Sequence, residues 1–373
     1  MTTRKPLDYD LNNPIIKDKD FRYFPDKILI ISIIFLVAFG LAVLYSASGQ
    51  SWSMVSRQAT YSIIGLVLML LIAQLNPSSY KNILIQSYWL NLLLLVLVLF
   101  FPDKSHNTDR WIDLGFMSFQ PSEIVRLLLP ISICAFLSRK EALPKLSDWL
   151  ISTIAVIICS LLIFQQPDLG TAIIVFFSGF IVIYLSGLPL YLLFIYVIST
   201  VAVSPFVWMS LSGYMKQRIY TFINPENDPL GSGWNIAQSK AAIGSGGLTG
   251  KGYLQGTQNQ LNFIPEDHSD FIFSVIGEEL GLVGIAFLFI LYSIILYRSI
   301  KIGLEANSKF EKVACLSLSI IFIIIILINV LMVIGIIPTV GVPLPLVSQG
   351  GTSLIVHLLA FGLILSMRKK TQW

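Results

Sequence analysis

The sequence is poor in charge, cysteine and histidine. Of its 373 residues only 12% are Asp, Glu, Lys or Arg, and it contains three cysteines and three histidines. With 55% hydrophobic residues and a mean hydropathy of +0.77, this composition excludes an ordinary soluble domain. Cys134, Cys159 and Cys315 lie inside apolar runs without ligand spacing, so neither a disulfide framework nor a zinc site is predicted. The net charge of +4 does not indicate a nucleic-acid partner.

Long apolar runs are what the sequence has in abundance. Ten of them are long enough to cross about 30 Å of hydrocarbon. They lie at roughly 27–47, 58–75, 81–101, 122–138, 148–165, 169–187, 189–210, 270–297, 313–337 and 350–367. The sequence therefore predicts an all-α polytopic membrane protein with a single ten-helix domain over 27–368. A tail at 1–26 and a short end at 369–373 flank this domain.

The basic residues indicate how the chain is oriented. With the N-terminus in the cytoplasm, the short outside loops contain only Arg57, Lys104 and Arg110 of the 25 Lys and Arg residues, as the positive-inside rule requires. Both termini are then cytoplasmic. The long segment 211–269, between the seventh and eighth spans, becomes a large extracytoplasmic loop, which its aromatic and amphipathic stretches predict to be structured.

Acidic residues at membrane depth are candidate functional groups because burying them is costly. Glu123 and Arg126 are three residues apart on one helix, which favours a local ion pair. Asp168 opens a span and is explained by helix capping. Asp270 also opens a span, at the outer boundary beside the long loop, where a carboxylate could act on a lipid-carried headgroup. Glu278 and its neighbour Glu279 fit a proton or cation path, or a hydrogen-bonded pair facing the bundle.

Several segments together resemble one family. The stretch 329–353 contains three prolines between two apolar helices and resembles the signature of the SEDS family, the shape, elongation, division and sporulation proteins. Segments 110–123, 166–170 and 263–271 resemble the same family in the same order, so the resemblance covers essentially the whole chain. The sequence of this signature is more similar to that of the RodA branch of the family. Gln349 and Arg126 depart from the residues that are usual in the family.

The resemblance implies a peptidoglycan glycosyltransferase that joins lipid II units into glycan strands during cell elongation and releases undecaprenyl pyrophosphate. Asp270 matches the family's proposed catalytic aspartate and would act as general base on the acceptor sugar hydroxyl. Basic residues of the outer segments could neutralise the pyrophosphate, and Trp111 could stack on a sugar or anchor at the interface. The residues assigned to substrate binding are Trp111, Arg110, Lys216, Arg218, Glu123, Asp168, Ser348, Gly350 and Gly351.

The resemblance also implies partners and a location. A class B penicillin-binding protein would supply the transpeptidase, alongside other membrane proteins of the elongation machinery and the lipids of the bacterial inner membrane. No cofactor is predicted, although the sequence leaves room for a divalent cation at the pyrophosphate. Two other hypotheses remain open: the protein is a lipid II flippase with a polar path through the membrane, or it is a scaffold without catalytic activity.

Overall fold

The computed structural model describes residues 26–100, 110–113, 118–139, 144–224, 231–260 and 268–368. Helices account for most of these residues, and one short antiparallel hairpin joins α3 to α4 by pairing Ile112 with Phe119. The elements in chain order are α1 (Lys27–Ala47), α2 (Trp52–Ala73), α3 (Pro77–Phe100), β1 (Ile112–Asp113), β2 (Ser118–Phe119), α4 (Pro121–Leu137), α5 (Leu146–Gln165), α6 (Leu169–Leu185), α7 (Leu190–Ser210), α8 (Gly213–Ile223), α9 (Ser232–Gly246), α10 (Thr257–Gln260), α11 (Ile272–Glu305), α12 (Lys309–Val333) and α13 (Gly351–Ser366).

Each of the ten predicted spans corresponds to a helix of at least 16 residues. Seven of the helices described are long and apolar enough to cross a membrane, namely α1, α2, α3, α5, α7, α11 and α12. The other three predicted spans are the shorter helices α4, α6 and α13, of 17, 17 and 16 residues. The chain is therefore a multi-pass helical membrane protein. The sequence misplaced some boundaries, since α2 begins at Trp52 rather than 58 and α11 continues to Glu305.

Local sequence determines where several helices begin. Asp26 accepts a hydrogen bond from the backbone amide of Leu29 and so caps α1, and the hydroxyl of Ser212 caps α8 in the same way. Ser308 and Glu311 form a reciprocal capping box at the start of α12. These caps satisfy amide groups that have no partner within the helix.

The helices pack around a core formed by α1, α2, α4, α6, α11, α12 and α13. The main neighbours are α2 with α13, α3 with α4, α5 with α6, and α11 with α1, α9 and α12. Helix α7 lies at the periphery, and all of its residues are at least partly exposed. Side chains that are exposed on the outer helices are mostly apolar, which suits contact with lipid.

The long outer loop is structured in its described parts, as predicted. It contains α8, α9 and α10, and α9 packs against α11 and the end of α12. The hydroxyl of Ser239 in α9 donates to the carbonyl of Val333, the last residue of α12, at 2.8 Å. Residues 1–25 of the tail predicted over 1–26, and the predicted end over 369–373, lie outside the described residues.

Candidate functional site

The segment 334–350, which joins α12 to α13 and is called the signature segment below, is an irregular loop that is buried mainly over residues 342–348. Because its backbone lies among apolar helices, side chains of three helices satisfy its carbonyl groups. Asn329 of α12 donates to the carbonyl of Val342 at 2.7 Å, Tyr292 of α11 donates to that of Pro345 at 2.7 Å, and Gln58 of α2 donates to that of Ser348 at 3.1 Å. Leu346 has a φ of 64°, a strained conformation for a residue with a side chain.

Asp270 lies against the signature segment. Its carboxylate Oδ2 is 3.5 Å from the position that a Cβ on Gly341 would occupy. The backbone of the signature segment therefore passes close to this carboxylate at Gly341. The backbone carbonyl of Asp270 accepts from Asn329 at 2.9 Å, and the side chain is partly exposed. The prediction that Asp270 opens the helix is wrong, because α11 begins at Ile272 with Phe271 at the N-cap position.

Arg110 and Asp168, both predicted site residues, are in contact. The Arg110 guanidinium donates to the carbonyl of Gln166 at 3.0 Å and to that of Pro167, and it pairs with the Asp168 carboxylate at 3.6 Å. Asp168 also caps α6, as predicted, by accepting from the amide of Thr171 at 3.1 Å. Arg110 therefore tethers the start of the β-hairpin, beside Trp111, to the loop before α6. The substrate-binding role of Trp111, which is partly exposed, stays a prediction.

The loop before α6 and the signature segment meet at a glycine. A Cβ on Gly170 would collide with the Val340 side chain and would lie 2.9 Å from the carbonyl oxygen of Val340. Asp168, two residues before Gly170, and Asp270 are thus both near the adjacent residues Val340 and Gly341.

Helix α8 brings basic residues to the same region. Arg218 donates to the carbonyl of Thr339 in the signature segment at 3.4 Å. Lys216, two residues earlier, is partly buried, and its ammonium has no acceptor in the part of the chain that the structure describes. Arg218 contacts the signature segment at Thr339, and Asp270 approaches it at Gly341, two residues further along. The substrate-binding and catalytic roles of these residues stay predictions.

Glu123 and Arg126 lie deeper, in the interior of α4, and each is only 6% exposed. The expected direct ion pair is not formed. The Oε2 atom of Glu123 and the Nε atom of Arg126 both lack a hydrogen-bond partner, while the carboxyl group interacts with the side chain of Ser353 in α13. Arg126 and His357 line a small cavity of about 30 Å³ between α4, α12 and α13, room for about one water molecule.

The predicted ligands Ser348, Gly350 and Gly351 lie at the start of α13. The Ser348 hydroxyl donates to the carbonyl of Ser269 at 2.5 Å and accepts from the amide of Leu344 at 2.8 Å, so it joins the residue before Asp270 to the signature segment. Gly350 donates its amide to Gln58 at 3.2 Å. A Cβ on Gly351 would lie 2.7 Å from the Tyr61 ring. These contacts hold the loop in place, and a direct role in substrate binding stays a prediction.

Sequence reasoning missed Gln58 as a site residue and did not assign Asn329 a role. Both are single amide side chains within apolar runs, and both are buried, Gln58 at 4% and Asn329 at 0% exposure. A lone buried amide in a membrane helix needs a partner, so this pattern could have identified them. No cluster of three or more His, Cys, Asp or Glu side chains that could hold a metal ion occurs among the residues described.

Comparison with known proteins places this arrangement in a family. The family model described as "Cell cycle protein", FTSW_RODA_SPOVE, matches residues 26–372. The peptidoglycan glycosyltransferase MrdB of Escherichia coli K12 is 42% identical over 343 residues, which cover 92% of this chain and 93% of that protein.

Two solved structures are similar in fold. A chain from "Structural coordination of polymerization and crosslinking by a peptidoglycan synthase complex" matches with a TM-score of 0.79 and 28% identity, covering 92% of this chain and 97% of the other. The rod shape determining protein RodA of Thermus thermophilus matches with a TM-score of 0.69 and 26% identity, covering 91% and 95%.

Proposed function

The chain belongs to the FtsW, RodA and SpoVE family of cell cycle proteins, and from that premise we propose that Asp270 is the general base of its glycosyl transfer. The chain is a peptidoglycan glycosyltransferase, in keeping with its relatives. Its substrate is lipid II, which it polymerises into glycan strands during cell elongation.

The observation that carries the assignment of Asp270 is its position at the signature segment. A base must be exposed enough to reach a substrate and fixed well enough to be aimed at it. Asp270 is partly exposed, while three consecutive backbone carbonyls are held by this region: His268 by the amide of Gln349, Ser269 by Ser348, and Asp270 itself by Asn329.

The chemistry follows from this placement. The Asp270 carboxylate takes the proton from the 4-hydroxyl of the acceptor sugar as that oxygen attacks C1 of the donor. The C1 configuration inverts, and undecaprenyl pyrophosphate leaves with the electrons of the broken bond. Lys216 and Arg218 of α8 are two residues apart on one helix and so point to different faces. Arg110, together with Lys216 or Arg218, would stabilise the charge that develops on the leaving group. A divalent cation could share that role.

The cellular location and the partners are inferred from the same family membership. The protein lies in the bacterial inner membrane with both termini in the cytoplasm, and a class B penicillin-binding protein supplies transpeptidation beside it. Other membrane proteins of the elongation machinery and membrane lipids complete its partners. The related chain in a peptidoglycan synthase complex supports such an assembly.

The test is glycan-strand formation from purified lipid II by the complex with a penicillin-binding protein that lacks polymerase activity. Asp270→Asn keeps the size of the side chain and removes the base, so we expect loss of polymer from a folded complex. Glu311→Gln is the matched control, because it makes the same change at an exposed capping residue. Wild-type activity in Asp270→Asn would refute the role of the base. Inactive wild-type protein beside an active control polymerase would favour the flippase or the scaffold.

The contacts of the buried charged residues give little support to the flippase hypothesis. Its predicted lining joins Glu123 and Arg126 to Glu278 and Glu279. The first two lie between α4, α12 and α13, whereas Glu278 and Glu279 are bound by the outer loop and α1. No contact among the described residues links the two pairs into one polar path.

A further inference from the structure

Helix α11 is broken near its outer end, and part of the outer loop fills the break. Gly281 has φ 62° and ψ −157°, which interrupts the helical hydrogen bonds on both sides. Residues 247–258, called the docked loop below, supply the missing partners. The bonds run from the amides of Lys251 to Glu278 O at 2.9 Å, Gly252 to Glu279 O at 3.0 Å, Leu282 to Gly247 O at 3.0 Å and Val283 to Leu248 O at 3.1 Å.

Two buried carboxylates bind the same loop from the helix side. Glu278 is 0% exposed and accepts from the Lys251 ammonium at 2.6 Å, the Thr257 hydroxyl at 3.0 Å and the Gln258 amide at 3.1 Å. Glu279 accepts from the hydroxyl of Ser46 in α1 at 2.5 Å and from the docked loop. Each carboxylate is therefore hydrogen-bonded, but to the outer loop and α1, whereas the sequence favoured a pair facing the bundle or a proton path. A buried carboxylate without its cation is costly, so the Lys251 contact adds to the backbone hydrogen bonds that hold the loop against α11.

The docked loop contacts the N-terminal part of α11, which begins two residues after Asp270. Between Ile272 and Glu278 the helix advances roughly 9 Å at 1.5 Å per residue. Along it α9 packs so closely that a Cβ on Gly246 would collide with the carbonyl of Gly277. The short helix is therefore held at its start by the signature segment and at its end by the docked loop. The break at Gly281 separates it from the rest of α11.

We propose that the ion pair between Lys251 and Glu278 is a positioning contact for Asp270, acting through the first two turns of α11. With the pair intact, the docked loop keeps this short helix at a fixed angle, and the carboxylate stays at Gly341. Without it, the short helix can pivot at Gly281 and the base moves relative to the acceptor hydroxyl. The inference rests on the proposed function, in which Asp270 is the base.

The experiment compares three changes at this contact in the complex with the penicillin-binding protein. Lys251→Met removes the charge and leaves Glu278 unpaired. The double variant Lys251→Met with Glu278→Gln removes both charges, which relieves the cost of the unpaired carboxylate and preserves folding. Lys251→Arg retains the ion pair. Lys301→Met is the matched control, because Lys301 pairs with Glu305 on the same helix at 3.8 Å with both side chains exposed.

Polymerisation kinetics give the first readout. We expect kcat in the double variant to fall about tenfold or more with KM for lipid II little changed, because misplacing a base by about 1 Å costs up to a hundredfold. Lys251→Arg and Lys301→Met should keep wild-type kcat. A double variant that is as stable and as fast as the wild type overturns the proposal.

A second readout does not depend on the chemistry of Asp270. In an Asp270→Cys background, the rate of labelling by a membrane-impermeant maleimide reports the position of residue 270, since Cys134, Cys159 and Cys315 are all buried. We expect Lys251→Met to change this rate severalfold and Lys301→Met to leave it unchanged. An unchanged rate overturns the positioning role whatever happens to kcat. Full activity in Asp270→Asn instead refutes the base, and the labelling result still stands.

Discussion

The double role of Asp168 can be separated by two substitutions. One carboxylate oxygen caps α6 through the amide of Thr171 at 3.1 Å, and the other pairs with Arg110 at 3.6 Å and lies 3.5 Å from the Gln120 amide. Asn at this position keeps the capping oxygen and loses the charge, whereas Ala loses both. The two variants therefore isolate the cap from the ion pair.

The expected magnitudes follow from these contacts. At 3.6 Å the contact between Arg110 and Asp168 is an ion pair and not a hydrogen bond. Because Arg110 retains its two backbone carbonyl partners in either variant, Asp168→Asn should cost about 1 kcal/mol. The cap contributes about 1 kcal/mol more, so Asp168→Ala should be less stable than Asp168→Asn by that amount. Because the tether positions Trp111, both variants should also polymerise more slowly.

Thermal unfolding of the purified protein in one detergent, followed by loss of helical circular dichroism, gives the ranking. We expect the apparent Tm to fall in the order wild type, Asp168→Asn, Asp168→Ala. Equal Tm values for wild type and Asp168→Asn would refute a stabilising ion pair. Equal values for the two variants would refute the cap.

Three further predictions concern contacts elsewhere. Burial alone would raise the pKa of Asp26, but the Arg298 guanidinium and a backbone amide outweigh it and hold the pKa below 3.8; Asp26→Asn should therefore lower Tm at neutral pH, and the difference should shrink as acidification protonates the wild-type carboxylate. Gly170→Ala should cost about 1–3 kcal/mol by overpacking against Val340 and slow polymerisation, with partial recovery on adding Val340→Ala; an unchanged Tm would contradict the close approach. Gln58→Leu should leave a carbonyl and an amide of the signature segment unsatisfied, at about 1–3 kcal/mol each, and a Tm equal to that of the wild type would contradict the need for both a donor and an acceptor.

Much of the fold could be predicted because the membrane restricts the solutions. A segment that crosses lipid needs about 20 apolar residues in a helix, and each of the ten apolar runs corresponds to a helix, although the bounds of α2 and α11 differ by six to eight residues. The break in α11 was not predicted. A glycine in an apolar run is common in membrane helices, and only the docked loop makes the left-handed conformation of Gly281 stable.

The sequence by itself determined the membrane class, the helical spans and the capping role of Asp168, because each depends on local composition or on a motif. The catalytic role of Asp270 stays a prediction. Tertiary structure alone decided which polar groups meet. Gln58 and Ser348 are 290 residues apart, Arg110 and Pro167 are 57 apart, and Lys251 reaches Glu278 across the break in α11. In an apolar interior each such group must find a partner, but the partner is fixed by how the helices pack, and no local pattern in the chain encodes it.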